Sequence, residues 1–318
     1  MRAQLILIAA LGTSLLFSLG AGRMDPYFLD VTITIGINII LAVSLNLING
    51  YTGQFSLGHS AFYAVGAYTA AIMMENYDIA YYWTLPVAGI VCFVVGFLFG
   101  LPALRLEGIY LALATFALAI AMPQILKFSP IEHWTGGVQG IVIIKPNAPF
   151  GLPINPDQWL FYFTLVVMVL LFACAYRLID SRTGRAMKAI RDNPIAAKAM
   201  GVNLSLYKSL TFGVSALYTG IAGAVGAIVV QFVAPDSFTI NLAIALFVGL
   251  VVGGVGWIPG AFFGALFILF VPNIAETVSK GLAGAVYGIM LILLIYVIPS
   301  GVAGLLRLIV TRLVPSRR

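Results

Sequence analysis

The chain has 318 residues, of which 61% are hydrophobic and only 9% charged, and its mean hydropathy is +1.05. A water-soluble domain carries about 25% charged residues, so a soluble enzyme, a nucleic-acid binder and a disordered chain are excluded and a polytopic membrane protein is expected. The net charge of +6 is not a nucleic-acid signature until its distribution along the chain is known, and the two cysteines, Cys92 and Cys174, lie in apolar runs with neither disulfide-framework nor CxxC spacing.

Crossing about 30 Å of hydrocarbon takes roughly 20 residues of helix. In chain order, residues 3–22 form a first uncharged stretch. Arg2, the apolar core and Gly20-Ala21-Gly22 also fit a signal peptide, but the stretch is longer than the 7–15 residues usual for such a core, which favours a retained helix. Residues 31–74 carry no charge and are broken at Asn49-Gly50-Tyr51-Thr52-Gly53, which gives two spans. Spans follow at 79–104, 108–126, 158–176 and 209–235. Residues 237–275, broken at Gly256-Trp257-Ile258-Pro259-Gly260, supply two more, and 281–306 the tenth. Continuous apolar runs without alternation indicate helices rather than a barrel. The expected fold is a single all-α membrane domain over 1–318 with about ten transmembrane helices. Five plus five could form an inverted repeat. The likeness of His59-Ser60-Ala61-Phe62 to Pro259-Gly260-Ala261-Phe262 falls in spans that do not correspond in such a repeat and is set aside as chance.

Alternating these spans from an inside N-terminus puts thirteen basic residues inside and four (Arg23, Lys127, Lys145, Lys280) outside, so the charge balance is topological. Both termini are then cytoplasmic. The 127–158 loop, with five prolines, is extracytoplasmic: a seat for a soluble binding protein, or a lid on the protein itself. Glu276 and Lys280, four residues apart, read as a surface pair.

The cytoplasmic loop 177–208 is far longer than a helix link requires. It divides into a helix near 182–191, with Arg182, Arg185, Lys188 and Arg191 three apart, and a second at 194–200. Asn193 is a suitable N-cap, Pro194 a first helical residue, Gly201 a terminator, and Asn203 a cap for the next span. So short a helix needs a docking partner to be stable. A positive-inside anchor on anionic lipid is the competing reading.

Neutral polar residues in or beside the spans are candidates to line a path through the bilayer: Asn38, Asn46, Gln54, Ser56, His59, Thr115 and Asn241. The simpler role for each is bonding between helices. Gly53, Gly58 and Gly66, and the 253–260 run, suit close helix contact or broken helices. No P-loop, metalloprotease or nucleophile-elbow motif occurs, so the chain does not bind ATP through a P-loop and, if ATP powers it, another subunit hydrolyses the nucleotide. The spans hold no acid or base at mid-depth, which argues against proton coupling.

Ile195-Ala196-Ala197-Lys198-Ala199-Met200-Gly201 resembles the Ala-Ala-xxx-Gly core of the "EAA" loop of bacterial ABC-importer permeases, with Ile195 in place of its leading Glu. The preceding Arg182–Pro194 stretch, residues 49–62, Thr135-Gly136-Gly137-Val138-Gln139-Gly140-Ile141 and the 253–261 run together resemble the LivM-type permeases of branched-chain amino acid importers. The resemblance implies a multi-pass subunit in a bacterial or archaeal plasma membrane, without a cofactor or catalytic residue of its own. It implies two ATP-binding subunits, a second homologous permease and a periplasmic substrate-binding protein as partners. Gly184, Arg185, Asp192, Pro194, Ala196, Ala197 and Gly201 are then the ATPase-coupling residues. Urea or short amides are the alternative substrates within that family, and a stand-alone secondary transporter or a structural subunit the alternatives outside it.

Overall fold

The computed structural model describes residues 25–103, 106, 108–149, 154–278, 283–297 and 301–305. The expected span at 3–22, the residue Lys280 and most of the terminal basic residues lie outside them.

The described chain is helical apart from one two-stranded ribbon. Helix α1 (Pro26–Leu45) begins with proline at its first position, where no amide is needed, and continues into a π turn, Asn46–Tyr51. α2 (His59–Tyr77), α3 (Tyr81–Ala103) and α4 (Ile109–Leu126) follow. A short helix α5 (Glu132–Thr135) and strand β1 (Ile141–Val142) lead to α6 (Pro156–Asp180). Two small helices, α7 (Arg182–Asp192) and α8 (Pro194–Ala199), precede the long α9 (Leu204–Val230). Strand β2 (Phe232–Val233), α10 (Ile240–Gly253), α11 (Gly260–Val278) and α12 (Ala283–Val297) complete it. Seven of these helical segments are long and apolar enough to cross a membrane, against ten expected spans. α2 is long enough at 19 residues but less apolar, α12 is shorter at 15, and the first expected span is not described.

α1 and α9 are the most buried spans. Lipid offers no hydrophobic drive for helices to associate, so packing rests on backbones brought close by small side chains. α9 meets this condition with Gly213, Ala216, Gly220 and Gly223. A Cβ on Gly66 of α2 would lie 2.5 Å from Gly220 Cα, and one on Gly220 would lie 2.5 Å from Cys92 Sγ of α3. The expected use of Gly66 for close contact is therefore met. Gly58 packs against Thr115 and Gly53 against Arg191.

The 27 residues of α9 extend about 40 Å at 1.5 Å each, so the loop at its start and the ribbon at its end occupy opposite faces. β1 pairs antiparallel with β2, Ile141 opposite Val233 and Val142 opposite Phe232. The strand alternates, with Ile141 and Ile143 buried and Val142 and Ile144 exposed. Ion pairs Lys127–Asp236 and Lys145–Asp157 fasten the same region. Residues 141–144 are thus packed by one side on the bundle and turn Val142 and Ile144 outward.

Candidate functional site: the broken helices and the loop beneath them

The loop 181–203 folds as its local chemistry requires. Ser181 caps α7 by accepting from the Gly184 amide at 3.4 Å, and buried Gly184 lies against the end of α6, where a Cβ would sit 2.5 Å from Ile179 Cα. Ala186, Met187 and Ile190 face inward, while Arg182 and Arg185 lie on the open side. Asn193 Oδ1 accepts from the Ile195 and Ala196 amides at 3.1 and 3.0 Å, which closes the N-terminus of α8 behind Pro194. Gly201 ends it at φ +84°, where an L side chain is strained. Asn203 Oδ1 accepts from the Leu206 amide at 3.1 Å and starts α9. In α8 Ala197 is buried, whereas Ile195 and the capping Met200 that follows the helix are 83% and 85% exposed. Ile195 in this six-residue helix and Met200 at its C-terminal cap are large apolar side chains left open among the described residues.

Directly against α7 lies the π turn of α1. Asn and Gly are poor helix interior residues, and Asn46, Asn49 and Gly50 fall together here. The widened turn is fully buried and held from several sides. Asn46 accepts from the Gly256 amide at 2.8 Å and donates to the Trp257 carbonyl at 2.9 Å, so it binds the break between α10 and α11 through both ends of its amide. The π turn of α1 therefore meets the loop that precedes Pro259-Gly260-Ala261-Phe262. Asn49 accepts from the Ser56 amide at 2.8 Å, and its Nδ2 is buried with no partner among the described residues.

A hydrogen-bonded chain continues from the break into the bundle. Ser56 Oγ lies 3.5 Å from His59 Nδ1, and His59 Nε2 lies 2.8 Å from Ser215 Oγ of α9. Ser215 donates to the Ser44 carbonyl at 2.8 Å, and Ser44 Oγ is 2.6 Å from Thr219 Oγ1. Thr115 accepts from the Leu57 amide at 2.9 Å, and Gln54 donates to the Lys208 carbonyl at 3.4 Å. Five of the seven expected path residues, Asn46, Gln54, Ser56, His59 and Thr115, are thereby gathered at one end of the bundle. Asn38 is buried higher in α1. Asn241 is exposed on the first turn of α10, about 18 Å along the helix from Gly253. Each of these five has hydrogen-bonding partners between or within helices, the simpler of the two expected roles. Ser44, Ser215 and Thr219 belong to the same network, and their hydroxyls gave no motif by which a sequence could single them out.

Two basic side chains join the loop to the break. Lys188 Nζ sits 5.7 Å from the centre of the Tyr51 ring, and Arg191 donates through Nη1 to the Gly50 carbonyl at 2.9 Å. A cavity of about 190 Å³ opens here, lined by Thr52, Gly53, Gln54, Arg191, Pro194 and Lys208. A second cavity of about 260 Å³, lined by Phe55, Leu57, Ile109, Ala112 and Phe247, is wholly apolar. No group of three or more potential metal-ligating side chains occurs among the described residues.

A family model described as the branched-chain amino acid transport system permease component matches residues 27–295. The chain belongs to that family. This permease is 33% identical over 250 residues to the high-affinity branched-chain amino acid transport system permease protein LivM of Salmonella typhimurium, covering 71% of the chain and 58% of the relative. It is 32% identical over 275 residues to LivM of Escherichia coli, covering 79% and 63%. The chain thus spans about three fifths of the length of these two relatives. A probable LivH permease of Methanocaldococcus jannaschii is 26% identical over 282 residues, covering 84% of the chain and 88% of the relative. No solved structure matches the permease.

Proposed function

We propose that this permease is the membrane-spanning subunit of an ATP-driven importer that moves branched-chain or related hydrophobic amino acids into the cytoplasm by alternating access. In this reading α7 and α8 rest in a groove of an ATP-binding subunit, and ATP-driven closure of two such subunits tilts the bundle. The observation that carries it is the state of α8: a capped, two-ended helix of six residues with Ile195 and the capping Met200 turned outward and only Ala197 facing in. An anchor on anionic lipid would need its basic residues there, and α8 has only Lys198. Gly184, Arg185, Asp192, Pro194, Ala196, Ala197 and Gly201 shape or present this surface. The substrate class follows from the names of the relatives and from the apolar character of the spans.

A second homologous permease completes the pathway, and a substrate-binding protein docks on the opposite face. The outward row of Val142 and Ile144 on the packed ribbon suits such a seat. The membrane is the bacterial or archaeal plasma membrane, with α7 and α8 on its cytoplasmic side.

Co-purification with the ATP-binding subunits tests the docking. Ala197→Asp places an unpaired carboxylate at the buried face of α8 and should abolish the complex, while Lys198→Gln should leave it intact. Retention of both subunits by Ala197→Asp would remove the docking reading.

A further inference from the structure

Several residues of the loop touch the bundle, and Arg191 is one that reaches both helix breaks. Arg191, near the end of α7, donates through Nη1 to the Gly50 carbonyl in the break of α1. Its Cγ would be 3.0 Å from a Cβ on Gly53, and its Nη1 would be 3.2 Å from a Cβ on Gly256 in the break between α10 and α11. Gly53 and Gly256 both have positive φ, +70° and +79°, so the two breaks are shaped by residues that also make room for this side chain. Asp192 holds the guanidinium from the other side, with Oδ1 3.0 Å from both Nε and Nη2. A guanidinium presents a planar fork of fixed donors, and such a group fixes geometry as well as binding it.

The breaks themselves are joined without Arg191, through the paired hydrogen bonds of Asn46 with Gly256 and Trp257. They therefore behave as one unit to which Arg191 is attached. That unit is not fully satisfied, since the Asn49 Nδ2 donor is buried without a partner among the described residues. An unpaired buried donor disfavours the arrangement that contains it. A unit with a second arrangement available is what a conformational device requires.

We infer that Arg191 is the transmission residue of this permease: by tying α7 to the joined breaks at Gly50 and Gly256, it passes movement of the coupling loop to the inner end of the bundle and so opens the path. This rests on the reading of α7 and α8 as the ATPase seat, and it adds a residue that the docking surface alone does not require. Arg191 acts through Gly50 and Gly256 and touches no substrate.

The test uses the assembled importer in proteoliposomes, with Arg191→Ala, Arg191→Lys and, on the other side of the joint, Asn46→Leu. Arg191→Ala should keep its ATP-binding subunits and still hydrolyse ATP, while leucine taken up per ATP hydrolysed falls at least tenfold. Arg191→Lys, which retains a donor within reach of the Gly50 carbonyl, should recover a substantial part of the ratio. Asn46→Leu should lower it as Arg191→Ala does. A spin label on exposed Val255 should change mobility when ATP binds to the otherwise wild-type complex, and should not do so in Arg191→Ala. An unchanged uptake-to-hydrolysis ratio in Arg191→Ala, or an unchanged label response, overturns the inference while leaving docking intact. Loss of the ATP-binding subunits from Arg191→Ala also overturns it, because Arg191 would then belong to the docking surface. If the wild-type chain retains no ATP-binding subunit, the underlying reading fails, and the transmission role falls with it.

Discussion

The packing of α2 on α9 permits a quantitative test at Gly66. An added Cβ there would sit 2.5 Å from Gly220 Cα, whereas ordinary contact begins near 3.4 Å. The two helices would have to part by about 1 Å. A gap of 0.5–1 Å forfeits a quarter to a half of the attraction of each atom pair, at about 0.1–0.2 kcal/mol per pair. If about 40–60 pairs are affected, the number a single buried leucine makes, the loss is about 1–6 kcal/mol. Alanine also favours helix over glycine by about 0.8–1.0 kcal/mol, which masks part of that loss in a single measurement. Gly288→Ala in α12 is the matched control, because a Cβ there meets nothing within 4 Å and only the propensity term acts. The difference between the two variants isolates the clash. Thermal unfolding of the purified permease in detergent should place Gly66→Ala several degrees below Gly288→Ala, with Gly288→Ala at or above the wild type. Equal midpoints for the two variants would refute the claim that backbone proximity at Gly220 organises this interface.

Three local substitutions probe the loop and the buried network. Asn193→Ala removes the acceptor for the Ile195 and Ala196 amides and should destabilise α8 by about 0.5–2 kcal/mol, read as faster amide exchange over 194–200. Nothing lies within 4 Å of a Cβ on Gly201, so its substitutions act through backbone conformation alone; Gly201→Asn should hold the +84° φ and retain more uptake than Gly201→Val. Ser215→Ala leaves His59 Nε2 without its partner at 2.8 Å, and an orphaned buried group costs about 1–3 kcal/mol, which a lowered unfolding midpoint at unchanged expression would report.

The parts of the molecule legible from sequence are those whose chemistry is local. Asn193, Pro194, Gly201 and Asn203 specify the ends of α8 and the start of α9 through bonds to residues two or three positions away, and the structure has them in those roles. The break near Asn49–Gly53 and the one near Gly256–Gly260 were likewise visible as interruptions of long apolar runs. Their mutual contact was not, because Asn46 and Gly256 are 210 residues apart and neither carries a mark of its partner. Arg191 was placed only within a basic row, since its length and fork gave no hint that Gly50 would be the acceptor 141 residues away. The separation of Asn241 from the other neutral polar residues has the same origin: side-chain type alone does not say at which end of a helix a group will be needed.

The central claim is that motion imposed from outside the bilayer drives this bundle. Uptake of labelled leucine into proteoliposomes is the most direct measurement, made with the permease alone under an ion gradient and with the complete set of subunits, with and without ATP. Uptake confined to the complete assembly with ATP is the predicted result. Uptake by the permease alone, with no nucleotide present, would contradict the account.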